Sequence, residues 1–107
     1  FKETCQINWN NSSQAVHDFI RGLSPYPAAW TSFQGKIHKI YRSSLEVPTD
    51  FEASTVEIIE FEDKTIRTNK KTFWQVKCND GWLSIIEIQA EGKKRLSIEE
   101  YLRGYRW

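Results

Sequence analysis

Five short apolar runs, each ended by a turn signal, constrain the fold of this chain most. They cover residues 28–33, 36–42, 55–61, 73–78 and 82–89. Gln34-Gly35 separates the first two runs and predicts a β-hairpin, while Asn79-Asp80-Gly81 predicts a tight turn of type I′ before the last. No spacing typical of parallel βαβ units is present. The pattern therefore predicts a mainly β fold, a small closed or nearly closed antiparallel barrel of five strands.

The middle of the chain is less regular. Pro48 and neighbouring turn residues indicate a loop over residues 45–51. The alternation of residues 55–61 breaks at Ile58-Ile59, which is typical of a β-bulge. Residues 64–69 have the composition of a turn-rich link.

Helical patterns lie toward both ends of the sequence. Asn11 or Ser12 can cap a helix that ends near Gly22 and Pro25. Its apolar residues share one face: Val16, Phe19, Ile20 and Leu23. Near the C-terminus, Ser97 and Glu100 have the spacing of a capping box. The helix that follows has its own apolar face, made of Ile98, Tyr101, Leu102 and Tyr105.

Length and composition limit the class of protein. A chain of 107 residues with 39% hydrophobic residues is expected to form one domain, residues 1–107. No apolar stretch approaches the roughly 20 residues that span a bilayer, so no membrane association is expected. Cys5 and Cys78 predict reduced thiols rather than a metal framework, and Cys78 is expected in the core. Phe1 in place of Met suggests an excised fragment.

The candidate binding residues are three consecutive cations, Lys93, Lys94 and Arg95, which follow Gly92 between an apolar strand and the capped helix. Fixed positive charge and the N–H groups of a helix start both favour an anion such as a nucleic-acid phosphate. The alternative is a solvated basic loop that pairs with nearby glutamates. Because the net charge is only +1, any such binding depends on local clustering.

The second apolar run adds further cations. Alternation places Lys36, His38, Ile40 and Arg42 on one face of this strand and Ile37, Lys39 and Tyr41 on the other. This predicts a half-buried strand with a basic side that includes His38.

Two motifs in the same order make the chain resemble the C-terminal domain of the methionyl-tRNA formyltransferases. The first is Ile20-Arg21-Gly22-Leu23-Ser24-Pro25-Tyr26-Pro27-Ala28-Ala29-Trp30-Thr31, and the second is the run from Leu83 through Gly92-Lys93-Lys94-Arg95-Leu96. Ile7-Asn8-Trp9 resembles the start of the family pattern. The chain departs from that pattern at Leu96, where Met is usual, and over residues 48–68, which lack a Pro-Gly-Thr segment.

The resemblance implies an OB-like β-barrel and a role in binding tRNA. The full enzyme transfers a formyl group from 10-formyltetrahydrofolate to methionyl initiator tRNA, using an N-terminal catalytic domain of the same chain. This chain has no Asn/His/Asp catalytic set and no folate-site motif, so no catalytic residue, cofactor or metal site is expected within it. The expected tRNA-binding residues are Lys93, Lys94, Arg95, Lys36, Lys39 and Arg42. A cytoplasmic monomer is expected.

Two other functions remain open at this point. The chain can be the structural barrel of a different formyltransferase, acting on a nucleotide sugar or in folate metabolism. It can also be a free-standing OB-type protein that binds single strands.

Most of the large side chains are expected to serve the fold. Trp30 and Trp74 are assigned to the core, because a small barrel needs its aromatic residues inside. His17 is expected on the polar face of its helix. An acidic patch, formed by Glu57, Glu60, Glu62 and Asp63, is expected to be solvated and to lie away from any RNA.

Overall fold

The chain folds as an antiparallel sheet with one helix toward each end. A computed structural model describes residues 3–46, 53–61 and 64–105. The elements in chain order are α1 (Ser13–Leu23), β1 (Ala29–Phe33), β2 (Lys36–Ser44), β3 (Glu57–Phe61), β4 (Lys64–Thr68), β5 (Trp74–Lys77), β6 (Trp82–Ala90), β7 (Leu96–Ser97) and α2 (Ile98–Arg103), with 3₁₀ turns at Glu3–Cys5 and Ala53–Thr55.

The sheet is ordered β1-β2-β6-β5-β4-β3, and β7 also pairs with β6. It curls into a half-barrel, so the expected mainly β class with an N-terminal and a C-terminal helix is confirmed. In the described part of the chain, β1 and β3 are the two ends of the strand path. Strand β6 is central, because β2 pairs along one of its edges while β5 and β7 share the other.

The hairpin predicted around Gln34-Gly35 is confirmed. Strands β1 and β2 pair from Ala29 with Ile40 to Phe33 with Lys36. Gln34 and Gly35 have φ angles of 53° and 78°, the left-handed conformation that a two-residue type I′ turn requires at both positions.

Within the described ranges, the sheet contains seven strands rather than the five expected. Residues 64–69 are not a link, because Lys64–Thr68 forms β4 and pairs residue by residue with β3. The bulge expected at Ile58-Ile59 is also wrong, since that ladder has no register shift. Polar residues in β4 concealed an alternation in which Lys64, Ile66 and Thr68 are buried. Only the first two residues of the loop expected over 45–51 lie within the described residues.

The turn between β5 and β6 differs from the type I′ prediction. Neither Asp80 nor Gly81 has a positive φ. Instead the Asp80 carboxylate accepts a 2.8 Å hydrogen bond from the backbone N–H of Ser13, and Asn79 N–H donates to the carbonyl of Asn11. The Ser13 hydrogen bond lowers the pKa of Asp80. Contacts with the start of α1 therefore outweigh the local turn preference.

Both helices pack their apolar faces on the sheet, as predicted. Ser12 caps α1 by accepting from Ala15 N–H, and Val16 and Ile20 are buried. From α2, the buried residues are Ile98, Tyr101 and Leu102. In the described residues, no helix is long and apolar enough to cross a membrane.

The core contains most of the residues assigned to it. Trp74 is fully buried, but Trp30 is only half-buried, so its assignment to the core is wrong. Cys78 is buried as expected, and Cys5 is buried as well; both are free thiols. Burial raises the pKa of Cys78 to about 11, which keeps this thiol protonated near neutral pH.

Candidate nucleic-acid interface

The three consecutive cations lie in a turn that joins β6 to β7, and we call residues 92–95 the basic turn. Lys93 N–H donates to the carbonyl of Ala90 at 3.0 Å, and Gly92 has a φ of 76°. Glycine adopts this angle without steric cost. The Gln89 side chain donates to the carbonyl of Lys93 at 2.8 Å. These hydrogen bonds fix the backbone from which the cations project.

The cations of the basic turn are not equivalent. Lys93 and Lys94 are exposed, and neither forms an ion pair with another described residue. Arg95 instead pairs with Glu87 at 2.6 Å, and its guanidinium lies 4.1 Å from the ring centre of Tyr41. The hydrogen bond to Glu87 raises the pKa of Arg95. The Arg95 side chain is therefore held against the sheet.

The three cations expected on β2 are all exposed, and β2 lies directly beside β6. Lys36 shares the lining of one groove, of about 420 Å³, with Lys93 and Lys94. Lys39 pairs with Gln89 across the ladder, and Arg42 lies opposite Glu87, where the register is irregular. The fold thus brings Lys36 to the basic turn and places Lys39 and Arg42 farther along the adjacent strand.

His38 does not belong to a basic surface, and that prediction is wrong. Its side chain is 4% exposed, and Ile40 on the same face is fully buried. The ring nitrogen Nδ1 lies 3.0 Å from the carbonyl of Lys36. A carbonyl only accepts, so Nδ1 donates and Nε2 accepts from the hydroxyl of Tyr101 at 2.9 Å. Loss of solvent lowers the pKa of His38, which favours a neutral imidazole in the core.

The start of α2 is satisfied within the chain. The Ser97 hydroxyl accepts from Glu100 N–H, and the Glu100 carboxylate accepts from Ser97 N–H at 3.2 Å. This confirms the capping box, and the Ser97 N–H lowers the pKa of Glu100. Because Glu99 and Glu100 occupy the first helical turn, cationic side chains rather than helix N–H groups remain available for an anion.

The remaining polar candidates lie elsewhere. Glu57 and Glu60 are exposed on β3, at the far end of the strand path from β1. Glu62 and Asp63 lie outside the described residues. His17 is half-buried, with its Nδ1 2.7 Å from the Ser43 hydroxyl. The described residues contain no cluster of His, Cys, Asp or Glu able to hold a metal ion.

A second groove, of about 550 Å³, adjoins the basic turn and was missed in the sequence. Its lining includes Tyr26, Trp30, Ile37, Lys39 and Glu91. Tyr26 is 88% exposed. The sequence signal for it was the Pro25-Tyr26-Pro27 segment, in which a proline on each side restricts the backbone of an aromatic residue outside any strand.

The amino-acid sequence matches one protein family over nearly the whole chain. The family model for the C-terminal domain of formyl transferases matches residues 1–106, and the chain belongs to this family. This confirms the resemblance seen in the two sequence motifs.

The similar relatives are methionyl-tRNA formyltransferases. That of Phocaeicola vulgatus is 42% identical over 99% of this chain, and that of Bacteroides thetaiotaomicron is 40% identical over 99%. The protein from Chlorobium limicola is 38% identical, again over 99% of the chain. The chain spans 32% of the length of each of these three relatives.

Proposed function

We propose that this chain is the tRNA-binding C-terminal domain of a methionyl-tRNA formyltransferase. It helps to position methionyl initiator tRNA for formylation, in translation initiation, by a catalytic domain N-terminal to it in the same protein. That domain uses 10-formyltetrahydrofolate as the formyl donor, and the chain described here contributes no catalytic group. The parent protein acts in the cytoplasm as a monomer.

The observation that carries this proposal is the convergence of three lysines on one groove. Lys36, Lys93 and Lys94 are exposed around it, and none forms an ion pair with another described residue. Exposed cations that have no protein partner are suited to a polyanion, because binding releases counterions without breaking an internal salt bridge. Lys39 and Arg42, exposed farther along β2, and Arg95 are proposed to contact further phosphates of the same backbone.

A titration of initiator tRNA against the chain tests the proposal. Neutralising about three phosphates gives a slope of log affinity against log salt near −2 to −3, and so a roughly 20- to 40-fold loss between 50 and 200 mM salt. Replacing Lys93, Lys94 and Arg95 together with alanine is expected to remove most of this dependence.

The matched control replaces Lys70, Lys71 and Lys77 with alanine. It removes the same charge from the β4–β5 side of the sheet, so a general loss of positive charge affects both variants equally. Unchanged tRNA binding in the basic-turn variant contradicts the proposal, as does an equal loss in both variants.

A second candidate is favoured by one contact. The Arg95–Glu87 ion pair is what is expected if the basic turn serves contacts within the protein, as in a formyltransferase that acts on a nucleotide sugar or a folate. A formylation assay of the full-length parent protein separates the two. Activity on charged initiator tRNA supports the first function, and activity on a nucleotide sugar alone supports the second.

A further inference from the structure

The groove that contains Tyr26 has the size and lining of a small ligand site. Its volume of about 550 Å³ lies within the range of known ligand pockets. One wall comes from the segment of residues 26–30 and the other from the turn at Glu91-Gly92, with Ile37 and Lys39 of β2 between them. Two aromatic residues, several aliphatic residues, one cation and one carboxylate thus line the same space.

Tyr26 is the unusual member of this lining. An aromatic side chain that is 88% exposed leaves apolar surface in water, whereas Phe33 and Trp74 are buried. Proline on each side restricts the backbone at Tyr26, which reduces the ordering cost of any contact that its ring makes. Unpaired bases stack on such aromatic platforms.

The charges of the groove distinguish a nucleotide from a purely apolar ligand. Lys39 is exposed, and Gly92 belongs both to the groove wall and to the basic turn. An RNA strand that contacts Lys93 would therefore pass beside this groove, where Lys39 offers a further cation.

The carboxylate of Glu91 gives the groove a preference among bases. An ionised carboxylate only accepts hydrogen bonds, and cytosine, adenine and guanine each offer an exocyclic amino group as a donor. Uracil has no amino group, and its single ring N–H lies between two carbonyl oxygens that a carboxylate repels. Glu91 is exposed. Within the described residues, its carboxylate accepts one long hydrogen bond, of 3.4 Å, from the Ile37 N–H.

We propose that this groove holds one unpaired nucleotide of the bound RNA, with a base that carries an exocyclic amino group stacked on Tyr26 and that amino group donating to Glu91. The proposal rests on the proposed function, because it assumes that an RNA backbone follows the basic turn. It adds a base-reading contact to a surface that otherwise contacts only phosphates.

Fluorescein-labelled RNA hexamers of adenine, cytosine or uracil, titrated at 50 mM salt, test this inference. The adenine and cytosine hexamers are expected to bind more tightly than the uracil hexamer. Tyr26→Ala is expected to weaken their binding on the order of 10-fold, whereas Tyr26→Phe, which keeps the stacking ring, retains it. Circular dichroism verifies that both variants fold.

Glu91→Ala tests the preference among bases. It is expected to abolish the difference between the cytosine and uracil hexamers. The control Glu99→Ala removes an equal charge from the exposed first turn of α2 and is expected to leave that difference in place. A preference that survives Glu91→Ala overturns the role of this carboxylate.

The two proposals fail in different ways. If Lys93→Ala/Lys94→Ala weakens tRNA binding but Tyr26→Ala changes neither tRNA nor hexamer binding, the nucleotide site is overturned and the proposed function stands. If Tyr26→Ala instead weakens only the association of this chain with its catalytic domain added in trans, the groove is a protein contact and the nucleotide site is overturned. If the unaltered chain binds no tRNA at 50 mM salt, both proposals fall.

Discussion

The cations beside the basic turn differ in their partners from those on the side of the sheet formed by β3, β4 and β5. Beside the basic turn, Lys36, Lys93 and Lys94 point into solvent without an ion pair among the described residues. On the β3–β4–β5 side, Lys70 pairs with Glu57 at 2.7 Å. The Arg67 guanidinium there lies 4.4 Å from the ring centre of Trp82.

The difference shows that the number of cations alone does not describe a surface, because their partners determine which charges remain available to a ligand. Arg67 also donates to the side-chain oxygen of Gln75 at 2.6 and 2.8 Å, so its donors already serve the sheet. The chain has fifteen Lys and Arg against fourteen Asp and Glu, and this near balance conceals a difference in partners, since Lys70 and Arg67 contact neighbouring side chains whereas Lys36, Lys93 and Lys94 form no ion pair with another described residue. We expect substitutions on the two sides to affect different measurements.

The largest effect is expected for Trp74→Ala, which tests whether the β3–β4–β5 side acts as scaffold. Trp74 is fully buried, stacks on Phe61 and meets Phe33 and Tyr101 edge to face. Its removal leaves a large cavity and is expected to lower the free energy of unfolding by about 3–5 kcal/mol. Urea denaturation followed by circular dichroism measures the change. A loss below about 1 kcal/mol contradicts this account of the core.

An intermediate effect is expected from pH, through His38, which lies beneath the basic turn but belongs to the core. Burial lowers its pKa, the hydrogen bond to the Lys36 carbonyl opposes that shift, the Lys36 charge adds to it and Glu91 opposes it. The unfolded chain therefore takes up a proton first as pH falls below about 6.5. The contribution of His38 to the free energy of unfolding is therefore complete above that pH. As the pH falls, the contribution is lost with a slope of at most about 1.4 kcal/mol per pH unit, and the loss ends below the folded-state pKa.

Denaturation curves between pH 7.5 and pH 5 measure this dependence. His38→Gln removes the titrating ring and is expected to flatten the part of the curve that His38 causes. The same slope in parent and variant assigns the pH dependence to other groups and contradicts the prediction.

The smallest effect is expected for Lys70→Ala. Its ion pair with Glu57 is partly exposed, and such pairs typically contribute about 0.2–1 kcal/mol. The slope of tRNA affinity against salt is expected to stay unchanged, whereas Lys93→Ala is expected to reduce its magnitude by about 0.7–0.9. If the slope of tRNA affinity against salt is the same for Lys70→Ala and Lys93→Ala, the proposed difference between the two sides of the sheet is wrong.

Local sequence signals predicted the parts of the fold whose geometry is set by neighbouring residues. The type I′ turn at Gln34-Gly35 and the capping box of Ser97 and Glu100 need only adjacent side chains and backbone. Strand β4 was missed because Lys64 and Thr68 are polar yet buried. Lys64 reaches over the ring of Phe33 at 5.8 Å, a tertiary contact that periodicity cannot reveal.

In the candidate interface, too, the features set by neighbouring residues were predictable and those set by tertiary contacts were not. The basic turn and its exposure were predictable from Gly92 and the following charges. The pairing of Arg95 with Glu87 and the burial of His38 against Tyr101 were not, because each depends on strands that meet only in the folded sheet. The groove at Tyr26 depends likewise on the approach of residues 26–30 to β2 and the turn after β6.

The pairing of β6 with three strands has a thermodynamic consequence for ligand association. The basic turn follows the end of this strand, so its backbone is held by the sheet before the proposed binding of RNA. Binding then restricts mainly the rotamers of the lysine side chains, each at about 0.5–1.5 kcal/mol. We therefore expect complex formation to resemble the docking of a rigid body, with little of the heat-capacity change that accompanies folding of a disordered loop.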